Sequence, residues 1–237
     1  MSMSLRVVVP PHPLIGHWLT LLRDQDTPTP LFATAMAELG RWLTYEALRD
    51  WLPHRRVEVQ TPLAATEGSV IDPATPLLAI PMLRSGLGLW EGARTVLPTA
   101  LVAHVGYASD AGLAPGSPSP AAYLDGLPAE IGSSTGVLVF EPLVGAATNL
   151  LTVLERLEAL GVSGRQVRVI SALAAAPGLK TLGERFSDLT LYTACIDAEL
   201  DGQQRIVPGL GDAEARLFGT LPGRLGPGAV AGLEQPD

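Results

Sequence analysis

Short, continuously apolar segments that alternate with helical segments most constrain the fold of this 237-residue chain. Strands that are buried on both faces have continuous apolar runs, whereas half-exposed strands alternate between apolar and polar residues. Such runs occur at residues 77–82, 101–106, 137–140, 167–173 and 189–196. Because several of the intervening segments have helical periodicity, the sequence predicts an α/β protein. Its βαβ units would form a parallel sheet with helices on both faces.

Two of the predicted helices have recognisable ends. Residues 28–50 carry apolar side chains three and four positions apart, and Thr29 before Pro30 suits an N-cap followed by a first-turn proline. Residues 147–160 have the same periodicity and are followed by Gly161, which suits the C′ position of a helix.

Charge and composition exclude several classes of protein. The net charge of −8 disfavours non-specific binding to nucleic acid or to an anionic membrane. The N-terminus lacks the apolar stretch of a signal peptide, and no apolar run reaches the ~18–20 residues that span a bilayer. A single cysteine, Cys195, excludes an internal disulfide and a zinc site built from several thiolates. We therefore expect a cytoplasmic protein that binds neither nucleic acid nor membrane.

Glycine and proline cluster in two segments that have no periodicity. Residues 111–120 are expected to form a flexible loop, and residues 221–237 a flexible C-terminal tail. The length allows a single large domain, which we place at residues 1–220.

Ligands of open α/β sheets bind beyond the carboxyl ends of the strands, so functional groups are expected there. The first such segment carries Arg84, followed by Gly86, Gly88 and a predicted helix. Arginine offers a permanent, bidentate charge to a phosphate, and the glycines let backbone N–H groups approach an anion. The third glycine falls at Gly92 instead of Glu91, so a dinucleotide fingerprint is not matched. A glycine-rich turn without a ligand is the alternative.

The second segment begins with Glu141, which directly follows the strand at 137–140. A carboxylate at this position can accept hydrogen bonds from sugar hydroxyls, although a solvated strand end is the alternative. The candidate anion-binding residues that follow lead into the helix at 147–160. They are Gly145, Ala146, Ala147, Thr148 and Asn149.

The third segment is residues 206–213, in which Pro208, Gly209 and Gly211 precede Asp212. The tight path that these residues impose presents backbone donors and acceptors, which can bind the edge of a planar base. A plain turn is the alternative.

Taken together, these segments resemble the uracil phosphoribosyltransferase family. The resemblance covers roughly residues 10–220, and its most specific block is Ile-Val-Pro-Gly-Leu-Gly-Asp-Ala at 206–213. Other matching blocks lie at 12–15, 21–24, 43–47, 81–88, 175–178, 191–194 and 217–220. The resemblance implies a type I phosphoribosyltransferase fold with an N-terminal helical arm, about residues 1–55, that aids assembly into a homodimer or higher oligomer.

The resemblance also implies an activity. Members transfer ribose 5-phosphate from phosphoribosyl pyrophosphate (PRPP) to N1 of uracil, giving UMP and pyrophosphate, with Mg²⁺ carried by PRPP. Arg84 matches the arginine that contacts pyrophosphate, and Asp212 matches an acid near PRPP and its metal, so these two are the expected catalytic residues. The uracil site, which reads the base through backbone groups, matches Ile206, Gly211, Asp212 and Ala213.

The expected PRPP-binding residues are Glu141 and the loop 145–149. Here the family pattern is Asp-Pro-Met-Leu-Ala-Thr-Gly-Gly-Ser, whereas this chain has Glu-Pro-Leu-Val-Gly-Ala-Ala-Thr-Asn at 141–149. A left-handed backbone at Ala147 or Thr148, which replace the glycines, would cost on the order of 1 kcal/mol or more per residue. Ser109 stands where the family has a further PRPP-binding arginine. A non-catalytic uracil- or UMP-binding homologue, acting as a sensor or as the partner of an active paralogue, is therefore the alternative to the enzyme.

Overall fold

The structure is a computed structural model that describes residues 5–72, 76–97, 99–107, 121–162 and 164–219. Its strands are β1 (Arg6–Val8), β2 (His54–Gln60), β3 (Ala65–Ile71), β4 (Leu77–Leu83), β5 (Leu101–Val102), β6 (Val105–Tyr107), β7 (Ala122–Asp125), β8 (Gly136–Phe140), β9 (Leu143–Val144), β10 (Val167–Ser171), β11 (Leu173–Ala175), β12 (Thr190–Thr193), β13 (Ile196–Asp197), β14 (Glu199–Leu200) and β15 (Ile206–Val207). Its helices are α1 (Pro13–Arg23), α2 (Thr29–Ala47), α3 (Gly86–Ala93), α4 (Thr148–Ala159), α5 (Ala176–Arg185) and α6 (Ala213–Phe218).

The main sheet has the strand order β1-β12-β10-β8-β4-β6-β7, with β5 also paired to β4. Every pairing in it is parallel except that of β6 with β7. Beyond the carboxyl edge of this sheet, the strands β9, β11 and β13 form a second parallel sheet in the order β13-β11-β9. The predicted α/β architecture with a mostly parallel sheet is confirmed.

Helices cover both faces of the main sheet. Alternate residues of β8 show this, because Leu138 and Phe140 join the core beneath α1, α2 and α3, whereas Val137 and Val139 join the core beneath α4 and α5. All four of these side chains are fully buried. Burial on both faces explains the continuous apolar run in the sequence.

The predicted elements are present, with differences at their ends. Each predicted strand segment contains an observed strand, but three segments divide in two: 101–106 into β5 and β6, 167–173 into β10 and β11, and 189–196 into β12 and β13. Gly161 follows the C-cap of α4 with a positive φ of 81°, as predicted. The prediction that Thr29 is an N-cap is wrong: it is the first residue of α2, Pro28 caps the helix, and no side chain supplies a capping hydrogen bond.

After the edge strand β1, the N-terminal region forms the helices α1 and α2, and the long helix α2 is part of the core. Phe32, Met36, Leu39 and Leu43 of this helix are fully buried against the sheet.

Among the described residues, none of the helices is both long enough and apolar enough to cross a membrane. Ser109, the loop 111–120 and the tail 221–237 lie outside the described residues, so the predictions for them stay predictions.

Candidate active site

The three segments singled out in the sequence lie together at the carboxyl edge of the main sheet. Gly86 packs against the end of β8, where a Cβ would come within 2.5 Å of the carbonyl oxygen of Phe140. Gly88 packs against α6, where a Cβ would lie 3.0 Å from Leu217. The first segment therefore contacts both the strand that precedes Glu141 and the helix that follows Asp212.

Arg84 directly follows β4, and its side chain points towards α6. Its Nε donates a hydrogen bond of 2.5 Å to Oε1 of Glu214, and its guanidinium carbon lies 5.8 Å from the centre of the Phe218 ring. The hydrogen bond to Glu214 raises the pKa of Arg84 above its ordinary value. One third of the Arg84 side chain is exposed, so the guanidinium remains accessible to an anion.

Glu141 lies just beyond β8, as predicted, and its backbone N–H donates a 3.0 Å hydrogen bond to the carbonyl oxygen of Ile170. In the loop 145–149, Ala147 has φ = 66° and lies in the left-handed region, whereas Thr148 is already helical. Of the two positions for which a left-handed conformation was considered, only Ala147 adopts it. Its cost is on the order of 1 kcal/mol or more.

The loop 206–213 has the tight path that its sequence predicts. Gly209 and Gly211 have φ values of 63° and 78°, and the Val207–Pro208 peptide bond is cis. A Cβ on Gly209 would come within 2.2 Å of the carbonyl oxygen of Ile206. Glycine is required at this position on two grounds, the positive φ and the close approach of the backbone.

Asp212 is the N-cap of α6. Its Oδ1 accepts hydrogen bonds from the backbone N–H groups of Glu214, at 2.9 Å, and Ala215, at 3.0 Å. This carboxylate therefore has a structural role that the sequence analysis did not identify, because it fixes the start of the helix that carries Glu214.

A part-buried ion pair, in which the Asp197 side chain is 6% and the Arg23 side chain 24% exposed, holds the loop 206–213 from the side of α1. Arg23, the last residue of α1, forms two hydrogen bonds with the Asp197 carboxylate, from Nη1 to Oδ2 at 3.0 Å and from Nη2 to Oδ1 at 2.7 Å. The same Nη1 donates to the carbonyl oxygen of Gly209 at 3.2 Å, and the N–H of Gly209 donates to Asp197 at 3.0 Å. Both backbone polar groups of Gly209 are thus bound by this pair.

Asp197 is ionised in this arrangement. Burial opposes its charge, but the hydrogen bonds from Arg23 and from the Gly209 N–H outweigh burial, so the pKa of Asp197 is lowered. The bidentate geometry is the strong form of an arginine–carboxylate contact.

Arg216 of α6 connects the same loop to the end of α1. Its Nη1 donates to the carbonyl oxygens of Leu22 and, at 2.9 Å, Leu210, and its Nη2 donates to the carbonyl oxygen of Asp24. The guanidinium carbon lies 4.1 Å from the centre of the Phe32 ring. Desolvation by burial lowers the pKa of Arg216.

The loop 145–149 and the loop 206–213 approach each other. A Cβ on Gly145 would lie 3.3 Å from the carbonyl oxygen of Gln204 and 3.8 Å from Cγ1 of Ile206. The structure thus brings the predicted PRPP-binding and uracil-binding segments to one edge, with Arg84 beside them. The sequence analysis did not identify four residues as part of the site: Arg23, Asp197, Glu214 and Arg216. Of these, Arg23 lies within the family-like block 21–24, and Arg216 directly precedes the block 217–220.

The donor set fits a magnesium ion that arrives on a diphosphate. Among the residues that the structure describes, His, Cys, Asp and Glu side chains form no group of three or more that could hold a metal. Magnesium keeps several of its waters and commonly binds through one or two carboxylates together with substrate phosphates. Asp212, whose two described capping bonds both use Oδ1, is a carboxylate of this kind.

Comparison with known proteins agrees with this geometry. The sequence model of the uracil phosphoribosyltransferase family matches residues 9–220. The chain belongs to this family. Uracil phosphoribosyltransferase of Synechococcus elongatus is 50% identical over 220 residues, which are 93% of this chain and 100% of the relative. The chloroplastic uracil phosphoribosyltransferase of Arabidopsis thaliana is 41% identical over 219 residues, 92% of this chain and 73% of the relative.

Among solved structures, the AQ2163 protein from Aquifex aeolicus superposes with a TM-score of 0.78 at 29% sequence identity, covering 90% of this chain and 98% of that one. The resemblance inferred from the sequence is therefore confirmed over nearly the whole chain. Membership of the uracil phosphoribosyltransferase family also carries the type I phosphoribosyltransferase fold, which the mostly parallel sheet confirms.

Proposed function

We propose that this chain is a uracil phosphoribosyltransferase that converts uracil and PRPP into UMP and pyrophosphate. The observation that carries the proposal is the meeting of three segments at one sheet edge: Arg84, the loop 145–149 and the loop 206–213. Relatives that match almost the whole chain have the name of this activity, which supports the enzyme over the non-catalytic alternative.

Arg84 would neutralise the leaving group. Departure of pyrophosphate from the ribose leaves an oxocarbenium-like carbon and a concentrated negative charge on the leaving oxygens. A permanent cation that is already in place stabilises that charge without reorganising. Magnesium, when bound with PRPP, would supply further charge neutralisation at the pyrophosphate.

The loop 206–213 would bind uracil through its backbone. A pyrimidine edge presents N–H and C=O groups, which pair with backbone acceptors and donors of fixed direction. Ile206, Gly211 and Ala213 are the positions that we assign to this site, with Asp212 between the base and PRPP. Because the Arg23–Asp197 pair binds both polar groups of Gly209, the loop is positioned before the base arrives.

The ribose and its 5′-phosphate would occupy the space between Glu141 and the loop 145–149. Glu141 would accept hydrogen bonds from ribose hydroxyls. Gly145, Ala146, Ala147, Thr148 and Asn149 lead into α4, a helix whose first N–H groups favour a phosphate. A homodimer or higher oligomer and a cytoplasmic location complete the proposal, as the sequence predicts.

Formation of UMP tests the proposal. The purified full chain would be incubated with labelled uracil, PRPP and Mg²⁺, and UMP separated and counted beside Arg84→Ala and Arg94→Ala variants. Arg94 is a matched control because it lies in an exposed ion pair with Glu91 at the end of α3. We expect UMP from the wild type and the control, and strongly reduced UMP from Arg84→Ala. A folded wild-type protein that binds uracil but forms no UMP would contradict the proposed activity.

A further inference from the structure

Arg84, the cation assigned to pyrophosphate, is already paired with an anion of its own chain. Its partner Glu214 lies 130 residues away in sequence, in the first turn of α6. We infer that Glu214 determines how strongly Arg84 holds pyrophosphate: its carboxylate competes with the diphosphate for the same guanidinium and so weakens the binding of PRPP and of the product. This inference rests on the proposed function.

The geometry makes the competition direct. The hydrogen bond uses Nε of Arg84 and is 2.5 Å long, and the two side chains are 33% and 38% exposed. Both partners therefore reach the surface at which a diphosphate would arrive. The backbone of Glu214 is held in place because Asp212 caps α6 through the Glu214 N–H.

The electrostatic argument gives the direction of the effect. With Glu214 ionised, the net charge of the pair is zero, and the nearby Asp212 adds a second negative charge that acts on Arg84. A diphosphate that binds Arg84 must either displace Glu214 or be placed close to it, and each of these costs free energy. Removing one like charge from beside a well-solvated anion strengthens binding by about three- to tenfold at an effective dielectric constant near that of bulk water.

The substitution Glu214→Gln distinguishes the effect of the carboxylate charge from the effect of orienting the Arg84 side chain. Its side-chain oxygen can still accept the hydrogen bond from Arg84 Nε, so the arginine keeps its direction while the competing charge is removed. If Glu214 merely oriented Arg84, glutamine would leave pyrophosphate affinity unchanged and alanine would lower it. Competition predicts tighter binding for both variants.

The experiment measures binding of magnesium pyrophosphate to the full chain by titration calorimetry. The proteins are the wild type, Glu214→Gln, Glu214→Ala, Arg84→Ala and the double variant Arg84→Ala/Glu214→Gln. Glu91→Gln is the control, since it removes the charge of an exposed carboxylate in α3 that pairs with Arg94. We expect Glu214→Gln to lower the dissociation constant three- to tenfold, and Glu91→Gln to change it by less than twofold.

Initial-rate kinetics supply the second readout. Glu214→Gln should lower KM for PRPP by a similar factor and change KM for uracil by less than twofold, a split that a general structural defect would not produce. In the Arg84→Ala background the glutamine substitution should strengthen binding less than it does in the wild type, because no guanidinium remains to compete for and only the repulsion between Glu214 and the diphosphate is relieved.

Two results would overturn the inference, and they differ in what they say of the proposed function. If Arg84→Ala weakens pyrophosphate binding but Glu214→Gln leaves it unchanged or weakens it, competition by Glu214 is wrong while the role of Arg84 stands. If Arg84→Ala binds pyrophosphate as tightly as the wild type, the assignment of Arg84 is wrong, and the inference fails with it.

Discussion

The two halves of the candidate site are held in different ways. On the uracil side, the loop 206–213 is bound by the part-buried Arg23–Asp197 pair and by Arg216, which together reach α1, β13 and α6. On the pyrophosphate side, the Arg84 guanidinium is held by one partly exposed ion pair and a ring contact. The difference favours a rigid loop on the proposed uracil side, where backbone groups need exact directions, beside a cation on the proposed pyrophosphate side that can change its partner.

The largest effect on stability is expected from a substitution that breaks the Arg23–Asp197 pair on the proposed uracil side. Asp197→Asn removes the charge that compensates Arg23 and should cost about 3 kcal/mol, the lower end of the range for a buried pair, because 24% of the Arg23 side chain is exposed. We expect a loss of that size in the free energy of unfolding, measured by urea denaturation. Glu67→Gln, which breaks the exposed Arg56–Glu67 pair between β2 and β3, should cost less than about 1 kcal/mol. Equal losses for the two variants would show that the part-buried pair does not brace the loop.

A smaller effect in free energy, but a specific one, is expected on the pyrophosphate side. Losing a charge-assisted hydrogen bond to phosphate typically costs about 1.5–3 kcal/mol, or roughly 10- to 150-fold in affinity. Arg84→Ala should weaken PRPP binding by that factor, measured by calorimetry. Because the Arg84 side chain is partly exposed, the thermal unfolding temperature of the Arg84→Ala variant should stay near that of the wild type. A large loss of stability without a loss of PRPP affinity would reverse the contrast between the two sides.

The pH dependence of stability sharpens the same contrast. The hydrogen bonds from Arg23 and Gly209 outweigh burial and hold the pKa of Asp197 below its ordinary value of 3.8, so the contribution of Asp197 to stability is complete above that pH. It is lost as the pH falls below 3.8 through the folded-state pKa, because the protonated acid no longer pairs with Arg23. The stability difference between wild type and Asp197→Asn, from denaturation curves at several pH values, should therefore shrink only in this acidic range. A difference that shrinks between pH 8 and pH 5 would point to another group.

The smallest effect is expected at Ala147, in the loop 145–149. Glycine would relieve the left-handed backbone by about 1 kcal/mol or more, but it would remove the methyl group of a residue that is only 7% exposed and would raise the entropy of the unfolded chain. These contributions oppose each other, so Ala147→Gly should change the free energy of unfolding by less than about 1 kcal/mol. A stabilisation well above this value would mean that the methyl group contributes little to packing.

Features that depend on neighbouring residues were predictable from the sequence. The position of Glu141 after a buried strand, the long helix α2 and the role of Gly161 follow from local periodicity and local backbone preferences. The glycines of the loop 206–213 were predictable for the same reason, since two of them adopt positive φ. The family resemblance then assigned roles to these positions.

Features that depend on distant pairs were not predictable. Arg23 and Asp197 are 174 residues apart, and Arg84 and Glu214 are 130 apart, so no local pattern connects them. The β2–β3 hairpin was missed because its strands are largely exposed and carry only a short alternation, Val57 and Val59 between polar residues, instead of the continuous apolar run that identified the other strands. The start of α2 was misplaced by one residue because Pro28 replaces the expected side-chain cap.

Parallel kinetics on two variants test the central claim most directly. UMP formation would be measured for the wild type, Arg84→Ala and Asp197→Asn, with uracil and PRPP varied in turn, at a temperature at which all three are folded. We predict a crossed result: Asp197→Asn raises KM for uracil at least fivefold and changes KM for PRPP by less than twofold, and Arg84→Ala does the reverse. Variants that alter both KM values equally, or a wild type that forms no UMP, would contradict the division of this site into a braced base loop and a separate pyrophosphate arginine.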